Sequence, residues 1–512
     1  MKKGLLLPLI STVFLTSCSS DPFIETVIPD EVKNLGAAKV EILNLNETSY
    51  FSYDNINKNR DYLRLKETGN DILVIPQFYN DTKAITSFNS TVRGAFFHND
   101  ENFLDCTTYF DEISDGKIQL NFEIANSNND FQIYPKINDQ SFAAMDVATD
   151  LMNKNLLGLI KPVFSYLAVQ NYLELNDNDT SKLTKFDSNS DGYLDSIFVM
   201  PFINFFSKTN LEVNETIFKE FESETLNYIN PEEIKAQVES YLGTTFDFTI
   251  SNYSFTSYFY LTETNDYYKS NGLECNNHQF IYEISRLFGL ENLYSKLKDV
   301  ANPLGYSSMF SGMIGSWDPF SLLVKNIFNA QVIKSEGYVT FDPTNEETKK
   351  TIYLIPVRDQ INSYYDKYFL LMYYDCEEVY NKRDTLRNEY TLPSRNGFLL
   401  YQVDASLKYV DQNNVMYEID TTKDTYISDI DYSLARNQSS STYPFMKLLE
   451  ANDNNSIADE GLIKNNDLFI PRTAFYADTY KDLTFIDGST PKYRVYFDNI
   501  GESYKIYFSD VD

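Results

Sequence analysis

Two hydrophobic patterns follow one another along this chain and predict an α/β (α+β) domain followed by a β-rich, sandwich-like domain. In the first part, short continuous apolar runs alternate with stretches of helical spacing. From about residue 337 only short strand-like runs follow, and that order of patterns separates the two architectures. At 512 residues the chain has room for two or three domains and a substantial core.

"DILVIPQFYND" (71–81) has a short apolar run before a turn, the signature of a buried strand. "TYFDEISDGKIQLNFEI" (108–124) reads as a short helix, a turn at Asp115-Gly116, and a strand alternating Ile118, Leu120, Phe122 and Ile124. Residues 143–174 have helical spacing, with Pro162 expected to break or kink them. "YLDSIFVMPFIN" (193–204) is a second buried-strand run. Residues 273–288 carry a helical stripe of Phe280, Ile284, Leu287 and Phe288, with Gly289 placed to end it. The later strands are "TIYLIPV", "KYFLLMYY", "NGFLLYQVD", "KYRVYFDNI" and "SYKIYFSDV". The expected division is a leader over 1–17, a polar tether over 18–64, the α/β domain over 65–340 and the β-rich domain over 341–512.

Formal net charge is −31, which argues against nucleic-acid binding, since that needs clustered Lys and Arg. At the N-terminus, Lys2 and Lys3 precede an apolar run from Leu5 to Leu15, too short to span a bilayer but right for a signal sequence. It ends in "LTSCSS", where Leu15-Thr16-Ser17-Cys18 resembles the lipobox of bacterial lipoproteins. The resemblance implies cleavage before Cys18 and a lipid on its thiol, two acyl chains being a stable anchor. The plainer alternative is an ordinary cleaved signal with a chance cysteine. The expected location is the extracytoplasmic face of the cell membrane. Cys106, Cys275 and Cys376 remain, an odd number with no CxxC spacing, so separate thiols are expected and no disulfide framework.

The stretch "NNHQFIYEISRLFGLENLY" (276–294) poses the functional question. A zinc protease helix of the HExxH type places two histidines at i and i+4 around a general-base Glu. Aligned on HExxHxxGxxD, this chain keeps Glu283 and Gly289 but has Tyr282, Arg286 and Asn292 at the three ligand positions. Ionising a phenol at pH 7 costs about 4 kcal/mol. Arginine has no lone pair to give, and a neutral amide is a poor substitute for carboxylate at zinc. His278, one turn before Tyr282, is the alternative ligand, with Glu274 a further turn back. The only other histidine, His98, reads as part of a loop.

The order of further motifs resembles the immune inhibitor A-like secreted zinc metalloproteases of bacteria, from about residue 65 to 510. "YFDEISDGKI" is similar to that family's Ser-x-Gly-Lys turn, "FGLENLY" to its LGLPDLY, and "LGYSSMF" to its methionine turn. "SWDPFSLLVKNIFNAQVI", "LPSRNGFLLYQVD", "FMKLLEAND" and "NNDLF" match later pieces. The resemblance implies a zincin-like metalloprotease domain with Met309 beneath the site. The departures fall on the ligands, the pattern expected of a pseudoprotease. Glu283 and Arg286, three apart, are placed to pair on the helix; the alternative is that both face solvent.

"DSNSDGYLD" (187–195) is similar to the family's Asp-rich turn. It sets Asp187, Asn189, Asp191, Tyr193 and Asp195 at calcium-loop spacing, with Gly192 at the sharp turn and Asp177 or Asp179 nearby. The bidentate Glu of an EF-hand is absent, Phe198 standing there. Calcium is the expected cofactor and zinc is not. No GxSxG, Walker or dinucleotide motif occurs. The sequence thus points to a lipid-anchored, non-catalytic binder of extracellular protein or peptide. Its rivals are a peptidase with unusual ligands and a structural or nutrient-capture lipoprotein.

Overall fold

The computed structural model describes residues 26–42, 70–79, 88–97, 105–126, 135–137, 140–203, 217, 230–258, 278–290, 303–312, 315–357, 366–382, 392–405, 408–410, 416–418, 432–433, 445–451, 457, 462–475, 485 and 488–511. The leader, Cys18, His98, Glu274, Cys275 and Asn292 lie outside the described residues. The protein is a mixed α/β structure with several sheets. Among the described residues no helix is long and apolar enough to cross a membrane.

The chain begins with α1 (Asp30–Lys33) and β1 (Val40–Ile42), both of which belong with the C-terminal sheets described below. The α/β part follows: β2 (Asp71–Gln77), α2 (Phe88–Phe97), α3 (Cys106–Ser114), β3 (Asn121–Ile124), α4 (Ala144–Asn153), α5 (Ile160–Leu175), β4 (Ile197–Pro201), α6 (Pro231–Leu242), β5 (Tyr253–Phe255) and α7 (His278–Leu287). Strands β2 to β5 form one parallel sheet in the order β3-β2-β4-β5. Ile72, Val74 and Phe78 face α2, α3 and α7, while Leu73 and Ile75 face α4, α5 and α6. With both faces covered, the central strands β2 and β4 read as apolar runs, whereas the edge strand β3 alternates.

The turn expected at Asp115-Gly116 is present. Asp115 caps α3 in the left-handed region at φ 56°, and Gly116 follows at φ 74°. Pro162 does not break a helix. The break comes earlier, after α4, where Asn155 takes φ 56°. Pro162 falls in the first turn of α5, where a missing N–H costs nothing because no intrahelical acceptor awaits it.

Beyond α8 (Met309–Gly312) and α9 (Pro319–Val324), strands dominate: β6 (Asn329–Ile333), β7 (Gly337–Phe341), β8 (Thr351–Pro356), β9 (Lys367–Tyr374), β10 (Gly397–Asp404), β11 (Met446–Leu449), β12 (Ala474–Phe475), β13 (Tyr493–Ile500) and β14 (Ser503–Asp510). A six-stranded sheet runs β1-β6-β8-β9-β10-β11 and a four-stranded sheet β7-β14-β13-β12. Ile355, Phe369, Phe398, Phe497 and Phe508 fill the space between them. The other face of the six-stranded sheet, through Leu354, Leu370 and Tyr401, joins the core of α7, α8 and α9. Strands β6 and β7 begin before residue 341 and complete the two sheets.

The molecule is therefore a stack of layers. In order these are helices α4 to α6, the parallel sheet, helices α2, α3 and α7 to α9, the six-stranded sheet and the four-stranded sheet.

One expectation is corrected. The tether is expected over 18–64, but within it Ile28, Val32 and the half-buried Leu35 pack against Tyr496 and Tyr507, and β1 pairs with β6. Three apolar side chains and a row of backbone hydrogen bonds suffice to dock a polar segment.

Candidate functional site

Helix α7 is buried on almost every side, because it lies in the layer between the parallel sheet and the six-stranded sheet. Its end is fixed by Gly289 at φ 73°, whose N–H donates to the Arg286 carbonyl at 2.9 Å. Neighbouring elements then hold its backbone. Asn252 donates to the Leu287 carbonyl at 2.8 Å, and the Ser254 hydroxyl donates to the Glu283 carbonyl. Trp317 donates its indole N–H to the Ser285 hydroxyl at 2.9 Å, and that hydroxyl donates to the Ile281 carbonyl at 2.7 Å.

Tyr282, Glu283 and Arg286, which the sequence aligns with a zinc helix, lie on this helix. Tyr282 is 1% exposed, Glu283 4% and Arg286 9%. That burial removes the alternative in which Glu283 and Arg286 face solvent. Arg286 directs Nη1 to the Tyr282 hydroxyl at 3.4 Å, with its guanidinium carbon 5.8 Å from the ring centroid. Gln279 Nε2 lies 3.5 Å from Glu283 Oε1. His278 is buried at the start of the helix. His278, Tyr282, Glu283 and Arg286 each have further interactions. Met309 is fully buried in the same core, and its N–H closes a turn onto the Ser316 carbonyl at 2.8 Å. Phe310 beside it packs 6.0 Å from Tyr282.

These side chains do not fit a zinc ion. The phenol already accepts from a guanidinium, and the guanidinium brings a permanent positive charge with no lone pair. Among the described residues, no three His, Cys, Asp or Glu side chains converge as a metal-binding group.

The Asp187–Asp195 loop winds around its own carboxylates. Asp187 accepts from the N–H groups of Asp191 at 3.1 Å and Gly192 at 2.9 Å. Asn189 Oδ1 accepts from Asp191 N–H at 3.1 Å, and Asp191 Oδ1 accepts from Tyr193 N–H at 2.9 Å. Gly192 takes φ 88°, the conformation for which glycine suits this turn. The donors are hard oxygens, which suits calcium. Asp195 is set apart from the others. It is buried and accepts from the Ser188 and Ser196 hydroxyls. Burial raises its carboxyl above the usual range, against the pull of those hydrogen bonds and with repulsion from Asp187 adding a little. Asp179 is engaged with Ser181 as a cap.

Two other places to seek a ligand are filled or balanced. At the carboxyl ends of the parallel strands, where open α/β sheets bind ligands, Phe78, Phe202 and Tyr258 stack with centroids 3.7 and 4.1 Å apart. A cavity lined by Trp317, Tyr374, Tyr380, Lys349, Lys350 and Glu378 has Lys349 paired with Asp375 at 2.8 Å and Glu346 at 3.1 Å, and Lys350 with Asp115 at 2.6 Å.

The sequence reading missed Asn252. The same side chain that holds Leu287 also donates to the Asp195 carbonyl at 2.9 Å, so the Asp-rich loop and α7 share one clamp. Compared with known proteins, the chain matches no family model and no curated protein.

Proposed function

We propose that this chain is a surface lipoprotein, anchored through Cys18, on an immune inhibitor A-like, zincin-like scaffold that binds extracellular protein or peptide without cutting it. One observation carries the reading. Arg286 is buried at a ligand position with its guanidinium against the Tyr282 hydroxyl. A fixed cation there opposes a second, divalent one. Glu283 keeps the general-base position but has no metal-bound water to work on. Calcium belongs to the proposal as a brace for the Asp187–Asp195 loop, held by Asp187, Asn189, Asp191 and the Tyr193 carbonyl. Asp195 would support the loop from inside.

The test is made on the soluble form beginning at residue 19. Bound zinc is measured by elemental analysis after zinc is offered, and binding and turnover are measured on a denatured protein. Binding without turnover or zinc supports the reading. Stoichiometric zinc with turnover lost on Glu283→Gln overturns it in favour of a peptidase, and neither binding nor turnover leaves a structural role.

A further inference from the structure

Thr26 donates its backbone N–H to the Arg472 carbonyl at 2.8 Å. From there the chain crosses the outer face of the four-stranded sheet, Ile28 and Val32 packing on Ala474, Tyr496 and Tyr507. Ala38 and Tyr338 then bond each other's neighbourhood through Ala38 N–H to Tyr338 O and Tyr338 N–H to Gly36 O, both at 2.9 Å. β1 finally joins the edge of the six-stranded sheet. The route is built into the sandwich. Gly337 takes φ 142°, and a Cβ there would meet the Ala38 nitrogen at 2.5 Å. A side chain at 337 is incompatible with the strap.

We infer that the outer face of the four-stranded sheet, around Thr26 and Arg472, is the side this protein turns to the lipid bilayer. The inference rests on the proposed lipid at Cys18. Eight peptide steps separate Cys18 from Thr26, and fully extended they reach about 29 Å. A compact chain of this length is about 60 Å across, so the docking point lies within half a body width of the headgroups. A tether running to residue 64 would reach roughly 160 Å and leave orientation free.

The layer order gives the far side. Helix α5 belongs to the helical layer at the opposite end of the stack and reaches the surface at Leu175, about five layer spacings, or roughly 50 Å, beyond the strap. The near face carries Arg472, Arg494 and Lys505 among Tyr338, Tyr496 and Tyr507, with Lys505 Nζ 3.7 Å from the Tyr338 ring centroid. Asp30, Glu31 and Asp498 share it, so the lipid supplies the attachment and charge does not.

The experiment uses the full lipidated chain reconstituted in phosphatidylcholine vesicles that carry a headgroup acceptor dye. A donor dye is placed at Thr340→Cys on β7 or at Leu175→Cys at the end of α5, with the other thiols except Cys18 replaced. Energy transfer is expected to be several-fold greater from 340 than from 175. Thirty Gly/Ser residues inserted after Ser20 should bring the two together. Equal transfer with the native tether, or more from 175, overturns the orientation. Detergent partitioning tests the anchor separately: a Cys18→Ala chain that still enters the detergent phase removes the lipid reading, and the inference with it.

Discussion

The side-chain amide of Asn252 donates to the carbonyl of Leu287, the last residue of α7, at 2.8 Å. Its second hydrogen goes to the Asp195 carbonyl at 2.9 Å, and its own oxygen, buried, has no donor among the described residues. Helix ends leave carbonyls unmet, and a buried one needs a partner. Asn252→Ala deprives two buried carbonyls at once while deleting one unmet oxygen. The expected loss is about 2–3 kcal/mol, read from urea denaturation. A loss below about 0.5 kcal/mol, the size of an ordinary surface change, would show that the clamp is incidental.

Trp317 is the chain's single tryptophan, and it is bonded to Ser285 on the helix that carries Glu283. Its emission therefore reports on α7 with no label. Ser285→Ala should shift that emission and cost about 1–2 kcal/mol, since a buried indole N–H loses its acceptor. Lys154→Ala, at an exposed ion pair, should leave the spectrum unchanged. Equal spectra for the two variants would mean that Trp317 does not sense the helix.

Calcium bound to the folded loop alone should stabilise the chain by mass action, about 2.7 kcal/mol at a hundredfold excess over Kd. Thermal melts in calcium and in chelator should differ, and Asp187→Ala should abolish the difference. Asp187 is the choice because it gathers the loop's N–H groups as well as offering oxygen. Identical melts for the native chain would remove calcium from the account.

The strands were legible where burial is symmetrical. β2 and β9 are covered on both faces, so no polar residue interrupts their apolar runs. The α3 turn was legible because Asp-Gly supplies two left-handed residues in succession. The clamp was not, since Asn252 finds its partners 57 and 35 residues away and leaves no local pattern. The docked strap was missed because its contacts rest on a few apolar residues inside a polar run. Glu283 and Arg286 read equally as a solvated face or a buried pair, and only the sheets stacked on both sides of their helix decide for burial.

Asp318 caps α9, accepting from Ser321 N–H at 2.9 Å and the Ser321 hydroxyl at 2.6 Å. It is wholly buried, and burial pushes its carboxyl from 3.8 up to about 6, against the pull of those bonds. The folded chain thus holds this proton more tightly than the unfolded chain. The group's contribution is full below about pH 4, falls as pH rises, and levels off above about pH 6. A shift of roughly two units amounts to about 3 kcal/mol. Asp318→Asn keeps a good cap and removes the titration, so its stability relative to the native chain should rise across that window. A constant difference from pH 4 to 7 would show that Asp318 does not titrate there.

Arg286 is the residue on which the proposed absence of zinc chemistry turns. Buried against Tyr282, it should cost about 3–5 kcal/mol when truncated to alanine, the range for breaking a buried charged arrangement. An exposed lysine such as Lys154 should cost under about 1 kcal/mol. A converse change tests the proposed ancestry. Tyr282→His with Arg286→His places two imidazoles at i and i+4 around Glu283, and Asn292→Asp offers a third ligand. The native chain should take up no stoichiometric zinc, whereas the triple variant should bind about one ion per chain, measured by elemental analysis after dialysis. If the variant folds, as judged by Trp317 emission, and still binds none, the ligand alignment is wrong and α7 was never a zinc helix.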